Sequence, residues 1–186
     1  MSADRNHDLK LTEWLETEVP TRLPVLPLVS TVLFPGGVLS LQVGIEANVQ
    51  MIRALPDDQQ MIAAFAQKGG DREHPRPEDL SEIGVIAMVV QRLPLAEDRY
   101  QVFLQGRQRV RRRDLQKEGV FYVADVEPIV PPELSSDQSS QLMQKSISLF
   151  ERLVETDRRY NDELLEVLQM NMSEGANLFG DLLSTF

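Results

Sequence analysis

A chain of 186 residues, 42% of them hydrophobic and 26% charged, is long enough to bury one ordinary core without a metal or disulfide staple. It has no cysteine, which excludes a disulfide scaffold, zinc–thiolate and iron–sulfur sites, and thiol catalysis. Its 29 acidic and 19 basic residues give a formal charge of −10, which argues against a protein built to grip nucleic-acid phosphates, and no apolar run approaches the ~18 residues of a membrane helix.

The opening MSADRNHDLK lacks the apolar stretch of a signal peptide, so a cytoplasmic protein is expected. Residues 1–22 read as a polar leader in which Leu9, Leu11, Trp14 and Leu15 allow at most a short amphipathic turn. From Leu23 the segment LPVLPLVSTVLFPGGVLSLQVG is apolar and punctuated by proline and glycine. Proline cannot donate to a sheet ladder, so short extended pieces at a sheet margin are expected there. Leu39-Ser40-Leu41-Gln42-Val43 has the alternation of a half-buried strand, and Glu46 to Leu55 has helical spacing that ends at Pro56. Gln60 to Ala66 reads as a strand and QKGGDREHPRPED as an irregular loop. Gly84 to Leu93, apolar on both faces, reads as a central strand that turns through PLAED into RYQVFLQG, forming a hairpin. Arg107 to Leu115 and Val120 to Val130 read as further strands that pair. About six strands and one short helix, joined mostly by turns, close naturally as a mostly antiparallel β-barrel or curled sheet.

Past VPPEL the period changes. Ser135-Ser136-Asp137-Gln138 has the spacing of a capping box. Leu142, Met143, Ile147, Leu149, Phe150, Leu153 and Val154 then recur at threes and fours, predicting an amphipathic helix over 136–159 with a stripe wide enough to pack on the β half. Leu164, Leu165, Val167 and Leu168 mark a second helix, and Ser173 is a candidate N-cap for a third that carries Leu178, Phe179, Leu182 and Leu183. The expected organisation is a leader over 1–22, a β-rich unit over 23–132 and a helical unit over 133–186. The closing LLSTF breaks off mid-pattern without a capping signal, so the chain is expected to be the front of a longer polypeptide, the alternative being a natural chain that ends on a docked helix.

Catalytic patterns are missing. There is no G-x-x-x-x-G-K-[ST] phosphate loop and no G-x-S-x-G elbow. His7 and His74 are isolated, and the pairs Asp57/Asp58 and Glu78/Asp79 lie in proline-rich turns with no apolar setting to separate their pKa values. No catalytic, cofactor-binding or metal-binding residue is expected in this chain.

Three blocks, LPVLPL (23–28), LFPGGVLSLQVG (33–44) and PEDLSEIGVIAMVV (77–90), resemble the N-terminal, substrate-binding domain of the Lon ATP-dependent protease family. That family opens on "LP-x-LPL", follows with a "[FL]P" turn and a strand closing on "VG", and continues with "P-x-DL-x-x-[VI]G-x-x-A". Leu23, Pro24, Leu26, Pro27, Leu28, Phe34, Pro35, Val43, Gly44, Pro77, Asp79, Leu80, Ile83, Gly84 and Ala87 fall at matching positions, and Gly106-Arg107-Gln108-Arg109 resembles the family's "G-x-x-R". Gly36-Gly37 departs from the pattern, standing where many relatives carry a histidine and a bulkier residue. The resemblance implies an α+β chain: a mostly antiparallel PUA-like β pseudo-barrel with one short helix, then a C-terminal helical subdomain. It also implies a non-catalytic part without a cofactor of its own. Such a part engages unfolded or misfolded proteins for an AAA+ ATPase and a Ser–Lys protease that lie outside this chain, and forms a homo-oligomer through the full-length enzyme. Stand-alone proteins with only this domain, acting as binding or scaffold modules, are the alternative.

Unfolded clients share exposed apolar sequence, so their receptor needs apolar side chains held at its surface. In RYQVFLQG, alternation puts Tyr100, Val102 and Leu104 on one face and Phe103 on the other. Phe103, with Leu93, Leu95 and Val38, is the candidate polypeptide-binding patch; the alternative is that the leader or the helices cover this face and Phe103 is core. Arg107, Arg109, Arg111, Arg112 and Arg113 offer a rival phosphate-binding row, four of the five on one strand face, but without interleaved aromatics. Pairing with acids of the next strand, such as Asp125 and Glu127, is the expectation for them. If the helix over 136–159 lacks part of its packing, its stripe would drive self-association.

Overall fold

A computed structural model describes residues 20–56, 60–70, 72–132 and 134–185. The leader's amphipathic turn, His7 and the Asp57/Asp58 pair lie outside the described residues. Among the described residues the chain is mixed α+β, with one six-stranded sheet and four helices. In order these are β1 (Arg22–Leu28), β2 (Val38–Val43), α1 (Glu46–Ala54), β3 (Met61–Ala66), β4 (Ile83–Pro94), β5 (Tyr100–Glu118), β6 (Phe121–Pro128), α2 (Ser136–Thr156), α3 (Asp162–Met170) and α4 (Ala176–Leu183).

The strand order is β2-β5-β4-β3-β1-β6, and β5 also pairs with β6. Strands β5, β4, β3, β1 and β6 therefore close a ring, with β2 attached outside it along the first half of β5. Strand β1 runs parallel to β3; the other pairings are antiparallel. The expected break between RYQVFLQG and the arginine row does not occur: β5 is one continuous strand of 19 residues. It bends at a register shift opposite Ile86/Ala87, so its first half faces β2 and its second half faces β6. Gly106 lies at that bend because the Pro35 turn presses against it. A methyl group there would sit 2.1 Å from the Phe34 carbonyl oxygen. Two backbone hydrogen bonds of 2.9 Å, Gly36 N–H to the Gly106 carbonyl and Gly106 N–H to the Gly37 carbonyl, fasten the turn.

Both sides of the ring are apolar. One cluster, with Leu23, Val25, Met61, Ala63, Phe65, Ile86, Val110, Ala124 and Val126, draws on all five ring strands, as the inside of a small barrel does. The alternate residues Leu26, Leu28, Ile62, Ala64, Val85, Ala87, Val89, Val102 and Leu104 pack outside the ring under Val49, Met51 and Ile52 of α1 and Val43 of β2. This is why MIAAFA is buried along almost its whole length instead of alternating. The loop 67–79 is less irregular than its composition suggests. Pro77–Asp79 form a turn of 3-10 helix, Asp79 accepts a 2.8 Å hydrogen bond from the Arg76 N–H, and Gln67 bridges to Leu80.

Helix α2 starts at the Ser135 capping box and stops at Thr156, short of residue 159. Its apolar stripe does not pack on the β half. Met143, Ile147 and Phe150 join Leu168 of α3 and Phe179 of α4 in a separate helical cluster, while Leu142, Leu149 and Leu153 stay exposed. Ser173 is not an N-cap: Asn171–Glu174 continue α3 as a 3-10 turn, and Gly175, at φ 99°, reverses the chain into α4. Helix α4 meets the ring at the Pro35 turn, where a methyl group on Gly36 would lie 2.8 Å from Leu178 Cδ1.

Candidate functional site

Cross-strand partners share a sheet face, so register decides which side chains stand together. Val38 pairs with Gln105, Ser40 with Phe103 and Gln42 with Gln101 across β2–β5; Met88 pairs with Gln105, Gln91 with Phe103 and Leu93 with Gln101 across β4–β5. These nine residues form one strip three strands wide on the sheet face opposite the α1 cluster, and none of them is charged. Val38 is 65% exposed, Leu93 42% and Leu95, which opens the β4–β5 turn, 41%. Phe103 is half-buried in the middle of the strip, between Ser40 and Gln91.

The strip also holds an apolar residue that strand alternation does not single out. A register shift between Val89 and Gln91 makes Val90 the extra residue of a bulge, 56% exposed. In GVIAMVVQRL no punctuation marks that bulge, so Val90 could not be told from its buried neighbours.

Side-chain hydrogen bonds cross-link the frame around the strip. Gln101 Nε2 donates to Ser40 Oγ at 2.7 Å across β2–β5. Arg53, in the last turn of α1, clasps the β4–β5 turn by donating from Nε to the Tyr100 hydroxyl at 3.2 Å and from Nη2 to Asp98 Oδ1 at 2.8 Å. Those two hydrogen bonds, Tyr100 first and Asp98 second, raise the Arg53 pKa above its ordinary value. Arg92 donates to the carbonyls of Ile52, at 2.8 Å, and Leu55, at 3.4 Å, which satisfies acceptors at the open end of α1. Arg99 pairs with Glu97, so these charges beside the strip are used within the turn and α1.

The arginine row has internal partners too. Arg109 pairs with Asp181 of α4, Arg111 with Glu82 at 3.7 Å and Arg113 with Glu127, while Arg112 donates to the carbonyls of Pro77 and Leu80. Glu127 thus plays the part expected of it; Asp125 instead pairs with Arg22 at 3.2 Å. Arg107 lies against the Met61 sulfur at 3.8 Å, and its burial lowers its pKa. Arg107, Arg109, Asn177 and Asp181 line a cleft of about 150 Å³ where α4 meets the ring. His74 and Glu73 line another of about 110 Å³ with Lys117 and Tyr122. Among the described residues there is no group of three or more His, Cys, Asp or Glu side chains placed to hold a metal ion, and no helix long and apolar enough to cross a membrane.

Residues 22–183 match the family described as the ATP-dependent protease La (LON) substrate-binding domain. The chain is 30% identical to the Lon protease of Vibrio parahaemolyticus over 164 residues, 88% of this chain and 21% of that protein. It is 36% identical to the Lon protease of Anaeromyxobacter dehalogenans over 112 residues, 60% of this chain and 13% of that protein. The chain therefore spans about a fifth or less of the length of these curated relatives. The fold is similar to the solved N-terminal domain of Mycobacterium avium complex Lon protease, with a TM-score of 0.54 at 16% identity, covering 81% of each chain. It is also similar to a Lon N-terminal domain protein from Xanthomonas campestris, with a TM-score of 0.53 at 18% identity, covering 73% of this chain and 74% of the other. With the sequence match running from β1 into the end of α4, this chain belongs to the LON substrate-binding domain family.

Proposed function

We propose that this chain is the substrate-engaging part of a cytoplasmic Lon-type ATP-dependent protease, binding exposed apolar segments of unfolded or damaged proteins on the strip of Val38, Phe103, Leu93 and Leu95. On this reading residues 23–132 form a PUA-like pseudo-barrel that carries the strip, and residues 133–186 form a helical unit that continues toward ATPase and Ser–Lys protease modules. The chain itself breaks no bond. It captures, and weak capture at one strip is multiplied by several copies in the homo-oligomeric enzyme.

One observation carries the proposal: among the described residues an uncharged, partly apolar face three strands wide stays open in a chain of net charge −10. A shallow face of this kind suits clients whose sequences vary, because a shaped pocket would exclude most of them. The test is Phe103→Glu, measured for binding of a permanently unfolded protein such as reduced, carboxymethylated lactalbumin. Phe103 is half-buried on the face opposite the α1 cluster, so the variant is expected to fold, and to bind at least about tenfold more weakly because a charge replaces an apolar anchor. Unchanged binding by the folded variant overturns the proposal.

A further inference from the structure

Strand β2 leaves one edge open: among the described residues it pairs with β5 alone. The hydrogen bond from Gly106 N–H to the Gly37 carbonyl sets the phase of the β2–β5 ladder. In an antiparallel pair every second residue exchanges hydrogen bonds with its partner. Leu39, Leu41 and Val43 therefore bond to β5, while the N–H and C=O groups of Val38, Ser40 and Gln42 point away from it. Sheet edges are ordinarily blunted by charge, proline or a covering element. The six residues VLSLQV carry neither a charge nor a proline, in a chain that is 26% charged. An unguarded edge beside an uncharged strip is a template for another strand.

We propose that a client polypeptide binds by adding itself as an extended strand to the open edge of β2. Its backbone pairs with Val38, Ser40 and Gln42, and its alternate side chains lie beside Val38 at the margin of the Phe103 strip. The occupant is an uncharged segment with apolar residues at every second position. Neither β2 nor the strip offers a charge to pair with, and a net charge of −10 opposes acidic segments. Backbone pairing is the same for every sequence, which gives a receptor of varied clients affinity without a demand for particular side chains. This inference rests on the reading of the strip as the client-binding face and supplies its binding mode.

The experiment uses the whole chain and two end-capped peptides of alternating leucine and serine, one unmodified and one N-methylated at the amides of both edges. The unmodified peptide is expected to bind one-to-one and to slow hydrogen exchange at the amides of Val38, Ser40 and Gln42. N-methylation is expected to weaken binding at least about tenfold, the loss of one or two backbone hydrogen bonds. Ser40→Pro, which removes an outward N–H and no backbone bond to β5, though it also loses the Gln101 side-chain bond to Ser40 Oγ, is expected to do the same. Equal affinity for the two peptides overturns the inference. So does protection of these amides through self-association without peptide, since a second copy would then hold the edge. If Ser40→Pro does not fold, the peptide comparison on the native chain still decides. Should Phe103→Glu weaken binding while N-methylation does not, the strip stands and strand addition falls. Should Phe103→Glu have no effect, the strip itself is the wrong face.

Discussion

No side chain fits at Gly106. The Phe34 carbonyl oxygen occupies the place of a β-carbon, and both backbone groups of Gly106 are engaged by Gly36 and Gly37. Gly106→Ala must therefore push the Pro35 turn off β5, and it is expected to cost about 3 kcal/mol, the upper end of what overpacking usually does. Gly180, inside α4, has nothing within 4 Å of an added methyl group, so Gly180→Ala is expected to stabilise by about 0.5–1 kcal/mol. Urea unfolding checks both: the midpoint should fall for the first and rise for the second, at an unchanged slope. The sequence marks Gly106 only as the start of a "G-x-x-R" motif. Its reason comes from Phe34, distant in the chain, and no local pattern carries that. The candidate side chains were more legible. Strand alternation alone separates Phe103 from Tyr100, Val102 and Leu104, whereas Val90 depends on a bulge that leaves no residue signature.

Single elements show the same division between local and distant causes. The cap of α2 was readable because Ser135 and Gln138 meet within one turn of chain, with Ser135 Oγ accepting from the Gln138 N–H. What α2 packs against was not readable, since periodicity shows that Met143, Ile147 and Phe150 are buried but not whether a sheet or other helices bury them. The end of α2 gives a prediction with a defined sign. Arg159 reaches back to the Asp157 carboxylate through Nε and Nη2, at 3.1 and 2.6 Å to Oδ2, and its backbone N–H donates to Oδ1 at 3.0 Å. The Arg159 side chain first, and its backbone N–H second, hold the Asp157 carboxyl below its ordinary value of 3.8. With the folded value depressed, the contribution to stability is present in full above the unfolded value and fades as the pH falls through the folded one. Because the pair is exposed, the effect belongs to the α2–α3 link rather than to global stability. An NMR titration should find the Asp157 midpoint lower in the native chain than in Arg159→Gln, which keeps only the backbone N–H bond; equal midpoints would show that the side-chain contact does not hold in solution.

At the scale of the molecule there are three apolar clusters and a narrow seam. The ring closes around one cluster, a second packs between ring, α1 and β2, and α2, α3 and α4 close around a third that has no member from the strands. The ring and these three helices meet where the Pro35 turn lies under α4. Gly36 leaves the space that Leu178 fills, Thr185 approaches Gly37, and Arg109 pairs with Asp181, whose side chain is only 13% exposed. The departure of Gly36-Gly37 from the family pattern thus has a structural use here, since a larger residue at Gly36 would strike Leu178. A seam this small implies that the helices can open without the ring, as weakly coupled units of one chain do. Asp181→Asn removes the charge that faces Arg109, and with Arg109 partly solvated the loss should be about 1 kcal/mol, or roughly fivefold in the local opening equilibrium. Native-state hydrogen exchange should then show amides of α2, α3 and α4 exchanging about fivefold faster, while those of β3 and β4, central in the ring, keep their rates. Faster exchange throughout would mean that ring and helices unfold as one unit, and unchanged exchange in the helices would mean that Leu178 alone holds the seam.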